Sequence, residues 1–148
     1  MPTLIHQHVA EARAGKNLAV ICQMPSGWAV LSDLQYLRGY CILLPDPVVS
    51  DLNALGSEQR ARYLLDMALL GDALLEVTGA FRINYGIFGN LDPALHAHVI
   101  PRYLSEPEEL RKGLPFFYDQ AYQNSIKFDY ARDQDLMALI AAAIQKRL

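Results

Sequence analysis

The stretch Leu95-His96-Ala97-His98-Val99-Ile100-Pro101-Arg102 decides how the rest of the chain is read. Alternate residues of a β-strand point to the same side of a sheet, so His96 and His98 share one face and Leu95, Ala97 and Val99 the other. The apolar face anchors the strand on a core, while the imidazoles look outward or into a cleft. Their side-chain origins stand roughly 6–7 Å apart from the rise per strand residue. That spacing suits a ligand with several anionic oxygens, such as a phosphate or polyphosphate, and it also suits a metal ion. Zinc needs a third and usually a fourth ligand, yet the other two histidines, His6 and His8, lie near the N-terminus. A polar pair on a solvated strand face is the plainest alternative.

The flanking sequence supplies the remaining elements. Upstream, Phe81, Ile83, Tyr85 and Ile87 alternate with Arg82, Asn84, Gly86 and Phe88, the period of a strand with one buried face. Gly89-Asn90 and Asp92-Pro93 lead from it into the histidine strand. A helix is expected over 57–77, with Ser57 as N-cap and Ala61, Leu64, Leu65, Ala68, Leu69 and Leu75 as its core stripe. Gly39–Leu44 reads as a nearly continuous apolar strand closed by Pro45 and Pro47. Leu18–Cys22 and Trp28–Leu31 read as strands joined by a Pro25-Ser26-Gly27 turn. Residues 3–14 form a helix ended by Gly15, on which His6 and His8 diverge too far to share a ligand. Beyond the histidines come an acidic turn (Glu106, Glu108, Glu109), an aromatic run (Phe116-Phe117-Tyr118) and a terminal helix near 132–147 carrying Leu136, Leu139, Ile140 and Ile144. Antiparallel strands with helices to one side make an α+β fold the economical architecture.

A chain of 148 residues, 52% hydrophobic and 20% charged, is expected to form a single domain over 1–148. A net charge of −3 argues against a general nucleic-acid surface, which needs a basic stripe. Cys22 and Cys41 form no Cys-x-x-Cys pair or disulfide framework and read as reduced packing residues. Neither a signal core nor a long apolar run is evident, so no membrane association is expected and the location expected is cytoplasmic.

The tail His-φ-His-φ-φ-Pro-Arg, where φ is apolar, together with Gly39-Tyr40-Cys41-Ile42-Leu43-Leu44-Pro45, resembles the histidine triad (HIT) superfamily of nucleotide hydrolases and transferases. The family pattern is His-φ-His-φ-His-φ-φ, and the match runs over about residues 18–104. Ala94 stands where the first histidine is expected and Tyr40 where a further histidine often lies. The resemblance implies a HIT-like fold, a homodimer, a nucleotide or dinucleotide ligand and no cofactor. It assigns nucleophilic attack on the α-phosphate to His96 and contact with phosphate oxygens to His98. It places Gly89 and Asn90 beside the phosphates, and Ser32 and Asp33 beside the ribose. Arg102 either adds positive charge to the site or ties down the C-terminal segment. Leu91 stands near the place where some relatives carry a serine or threonine that assists the leaving group.

Two functions follow from the resemblance. One is cleavage of a phosphoanhydride or phosphoramidate at the α-phosphorus through a nucleotidyl-His96 intermediate; the other is nucleotide binding on the same scaffold with little or no turnover. Gly89-Asn90 as a mere turn pair, and Asp33 capping its own turn, remain the simple structural alternatives. Ala94 is expected to face the same way as the histidines and to leave room for an imidazole.

Overall fold

The computed structural model describes residues 1–148. Five strands, β1 (Val20–Met24), β2 (Gly27–Leu31), β3 (Cys41–Pro45), β4 (Arg82–Gly86) and β5 (Ala97–Arg102), form one antiparallel sheet in the order β1-β2-β3-β5-β4. β1 and β2 pair across the Pro25-Ser26 turn, with Met24 opposite Gly27. Pro45 does not close β3 but is its last residue, opposite Gly27. The register puts His98 between Ile42 of β3 and Gly86 of β4.

One face of the sheet carries the main core. Ala29, Leu31, Cys41, Leu43, Ala97 and Val99 are buried there beneath α2 (Ser57–Thr78) and α5 (Tyr130–Gln145). From α5, Leu136, Met137, Ile140, Ala143 and Ile144 face inward, whereas Leu139 is exposed. The α5 N-terminus is capped by Asp129, whose side chain accepts from the Arg132 amide. The helix α2 begins at Gly56, which offers no side-chain cap, in place of the expected Ser57, and ends at Gly79 in a left-handed conformation.

The buried side of α2 is not the expected stripe. Tyr63, Asp66, Leu70, Gly71, Ala73 and Leu74 face the sheet, while Ala61, Leu64, Leu65, Ala68 and Leu75 point outward. Apolar residues occur all round this helix, so its periodicity marks two faces and only packing chooses between them. Along β4 and the residue before it, likewise, Ile83 is buried but Phe81 and Tyr85 are 42% and 44% exposed, because β4 is an edge strand and α2 covers it only in part.

Helices are not confined to one side either. α1 (Leu4–Arg13) lies on the second face, with Ile5 and Val9 packed on Val30, Leu44 and Ala94. Thr3 and His6 close a capping box at its start. The other end of this face is covered by the segment after β5, which includes two short helices, α3 (Glu108–Arg111) and α4 (Gln120–Gln123). Tyr118 and Leu110 from this segment pack with Tyr36, Leu37, Tyr40 and Ile100. No helix is long and apolar enough to cross a membrane.

Arg102 holds that covering segment in place. It is 2% exposed and all its donors have acceptors. The guanidinium meets Glu106 at 3.0 Å, Asn84 Oδ1 at 2.8 Å, and the carbonyls of Gly113 and Leu110 at 2.8 Å each. Glu106 in turn accepts from the Tyr103 amide and the Tyr118 hydroxyl, both at 2.7 Å. Burial alone would raise the Glu106 carboxyl, but Arg102, Tyr103 and Tyr118 outweigh it and hold the group below its ordinary value. Arg102→Leu strands this carboxylate and two carbonyls, so a loss of about 3–5 kcal/mol is expected in urea denaturation. Adding Glu106→Leu to that variant should recover part of the loss, since no unpaired charge then remains.

Candidate active site

Between α1 and the covering segment, the second face of the sheet is open, and His96 and His98 stand in the gap. The alternation predicted from the sequence holds: Leu95, Ala97 and Val99 are buried in the main core, while both histidines are half-buried on the opposite face. Their ring centroids lie 5.0 Å apart.

Each imidazole is fixed in one tautomer by a partner on its Nδ1. His96 Nδ1 lies 2.8 Å from the Ala94 carbonyl oxygen. A carbonyl only accepts, so Nδ1 carries the proton and Nε2 presents a free lone pair. His98 Nδ1 lies 2.6 Å from the hydroxyl of Tyr40, which is 2% exposed. That hydroxyl has no other acceptor, so it donates to Nδ1, because an unpaired buried O–H is costly. His98 therefore carries its proton on Nε2 and offers it as a hydrogen-bond donor. Burial, reinforced by His96, pushes the His98 imidazole down to about 4, which keeps the ring neutral at neutral pH. Burial also pushes the Tyr40 hydroxyl well above its ordinary range, with Tyr36 adding to the effect.

Tyr40 owes its position to the loop before β3. The side chain of buried Gln35 donates to the carbonyls of Ser32 and Tyr40 at 2.9 Å each and accepts from the Gly39 amide at 3.0 Å. Gly39 has φ +91°, a conformation that favours glycine.

Aromatic rings wall the other side of His98. Phe88 and Phe116 each have a centroid 5.7 Å from it and 5.7 Å from one another. They bound a cleft of about 270 Å³, with Asn84, Gly86, Ile100 and Leu114 also lining it. A side chain on Gly86 would meet the Phe88 ring at 2.5 Å, so glycine there lets the ring fold against the strand. A larger cavity of about 570 Å³, between the Ser26 turn, Asp46 and the start of α2, contains neither histidine.

The other candidate residues fall in three places. Gly89, with φ +72°, and exposed Asn90 follow Phe88 in the loop that leads to the histidines. Asp92 anchors that loop to α1 by accepting from the Ile5 amide at 3.2 Å and the Ala94 amide at 3.0 Å. Ser32 and Asp33 follow β2, where Ser32 Oγ accepts from the Leu34 amide at 3.1 Å. The exposed Asp33 carboxylate meets Lys127 at 3.2 Å, and its carbonyl accepts from the Phe128 amide at 2.8 Å. Their polar groups thus serve a local turn and the C-terminal segment. Arg102, one of the two possibilities read from the sequence, is resolved as a structural tie: it is buried and its donors are satisfied by protein.

Ala94 departs from expectation. It faces the histidine side but is 3% exposed, packed with Ile5, Val9, Val30 and Leu44. An imidazole has no ready space there. Sequence reasoning missed Phe88 as a site residue and treated Tyr40 only as a lost histidine. Its sole signal was the Tyr40 position beside the apolar strand, which says nothing about a partner 58 residues away.

No three histidine, cysteine or acidic side chains gather as a metal centre. No protein-family model and no curated protein matches the chain. Solved structures do. A histidine triad protein from Marinobacter aquaeolei VT8 superposes with a TM-score of 0.72 at 20% identity, covering 86% of this chain and 88% of that one. One from Sinorhizobium meliloti 1021 gives 0.68 at 23% identity, covering 87% and 88%. A hypothetical histidine triad nucleotide-binding protein from Sulfolobus tokodaii strain 7 gives 0.72 at 13% identity, covering 95% and 92%. With its five-stranded antiparallel sheet and packed helices, the chain has the α+β fold of the histidine triad proteins.

Proposed function

We propose that this protein is a nucleotide hydrolase or nucleotidyl transferase of histidine triad type, acting at an α-phosphate through a nucleotidyl-His96 intermediate. The observation that carries the reading is the bond from His96 Nδ1 to the Ala94 carbonyl, which leaves Nε2 as the free nucleophile. In the first step Nε2 bonds to phosphorus and the bond to the leaving group breaks with its electron pair. Water then displaces the imidazole and completes turnover. The His98 Nε2–H is placed to donate to a non-bridging oxygen as charge builds there. Gly89 and Asn90 are assigned to the phosphates, and Ser32 and Asp33 to the ribose, with Asp33 exchanging its Lys127 partner for the ligand. The nucleotide-binding name of the Sulfolobus tokodaii neighbour agrees with this ligand class.

A second reading, nucleotide binding with little turnover, draws on Ala94. Its apolar packing removes the position of a third imidazole. Incubation with dinucleoside polyphosphates and nucleoside phosphoramidates, with mass spectrometry of the protein, separates the two. The catalytic reading expects products and a nucleotidyl adduct on His96, and saturable binding without products favours the second. His96→Ala should abolish adduct and turnover with its melting temperature and most nucleotide affinity preserved, because the side chain lies outside the core. Near-wild-type turnover in that variant would show that the nucleophile is another residue.

We also propose a homodimer that buries the outward face of α2. Ala61, Leu64, Leu65, Ala68 and Leu75 form one stripe beside the unpaired edge of β4, where Phe81 and Tyr85 are exposed too. Light scattering should report a dimer, and Leu65→Glu should convert it to a monomer.

A further inference from the structure

We infer that a basic recess beside β4, separate from the two histidines, binds a phosphate dianion, either free or at the end of a small organic ester. The inference stands independently of the nucleotidyl-His96 reading, because none of the groups that carry it takes part in that step.

The recess encloses about 400 Å³ between the start of β4 and the segment after β5, and Arg82, Arg102, Arg111 and Lys112 all line it. Four of the 13 lysines and arginines in a chain of net charge −3 thus meet at one place. No aspartate or glutamate lines it. The sheet register produces this crowding. Arg82 of β4 is paired directly with Arg102 of β5, so both side chains leave the same face, and like charges opposed across two strands repel.

Only one of these two charges is answered within the protein. Arg102, the floor of the recess, is buried against Glu106. Arg82 is exposed and forms no ion pair with any acidic side chain. Arg111 donates from Nη1 to the Leu104 carbonyl at 3.3 Å and likewise has no carboxylate partner. Lys112 meets Glu108 at 2.7 Å, but both side chains are 68% exposed, and a pair in that setting is held weakly.

A further donor comes from Asn84. Arg102 Nη1 can only donate, so the Asn84 atom 2.8 Å from it is Oδ1, and Nδ2 is left without an acceptor. The Gly113 carbonyl in the same wall is also taken by Arg102, at 2.8 Å. The lining therefore offers positive charge and N–H groups, while its acceptors are already used. That is the complement of an oxyanion. A phosphate fits it better than a carboxylate, because two negative charges answer the two guanidinium groups that lack a carboxylate, and its terminal oxygens accept from both planar forks. Leu114, 58% exposed, and Phe81, 42% exposed, supply an apolar rim on which the organic part of an ester would rest.

The test is titration of the ¹⁵N-labelled protein with inorganic phosphate, phenyl phosphate and acetate at constant ionic strength and about pH 8, where a phosphate monoester is a dianion. Saturable shifts of the Arg82, Asn84 and Gly113 amides are expected with millimolar or tighter affinity for phosphate, in His96→Ala as in the wild type. Tighter binding of phenyl phosphate would assign the ester as the ligand, and equal or weaker binding the free anion. Arg82→Gln and Arg111→Gln, both made at the surface, should each weaken phosphate binding about tenfold or more. Shifts confined to the histidine cleft, acetate binding as tightly as phosphate, or unchanged affinity in a double variant that melts like the wild type would each overturn the inference. None of these outcomes bears on the His96 adduct, which stands or falls by its own mass spectrum.

Discussion

The strand β5 is hydrogen-bonded on both edges, to β3 and to β4, and this double pairing is the constraint on which the site depends. Ile42 and Gly86 oppose His98 from either side, so its place in the sheet is set twice. A slip by one residue would turn both imidazoles into the main core and expose Ala97 and Val99. Those residues are fully buried, and Leu95 nearly so, which makes the wrong register costly. Pro101 tolerates its position because the β3 pairing has ended by Val99, so its missing N–H interrupts no bond there.

On that fixed strand, two unrelated pieces of chain shape the cleft. The helix α1 closes the side where Ala94 lies, and the segment after β5 closes the side where Phe116 meets His98. The second closure depends on a buried charge pair and not on apolar area alone. Arg102 leaves β5 on the histidine face, collects Glu106 and two main-chain carbonyls, and so couples the strand to the aromatic wall of the site.

The electrostatics are set by carbonyl and hydroxyl partners and by burial, with no lysine or arginine lining the aromatic cleft. The Ala94 carbonyl and the Tyr40 hydroxyl give the two histidines opposite tautomers, one with a free lone pair and one with a free N–H. Two residues of the same type thereby present opposite groups to the cleft, a lone pair and an N–H, through the atoms that touch their second nitrogens.

Much of this was legible before folding. The two-residue period fixes His96 and His98 on one face, because side-chain direction in a strand is a local property of the backbone. The helices and strands appear within a few residues of their expected places for the same reason. Sequence alone could not choose which side of α2 packs inward, since leucines and alanines surround it and only the sheet decides. Nor could it show that α1 fills the space beside Ala94, that Tyr40 reaches His98 or that Arg102 turns away from the cleft. Each of these is a contact between residues distant in the chain, and it exists only once the sheet has brought them together.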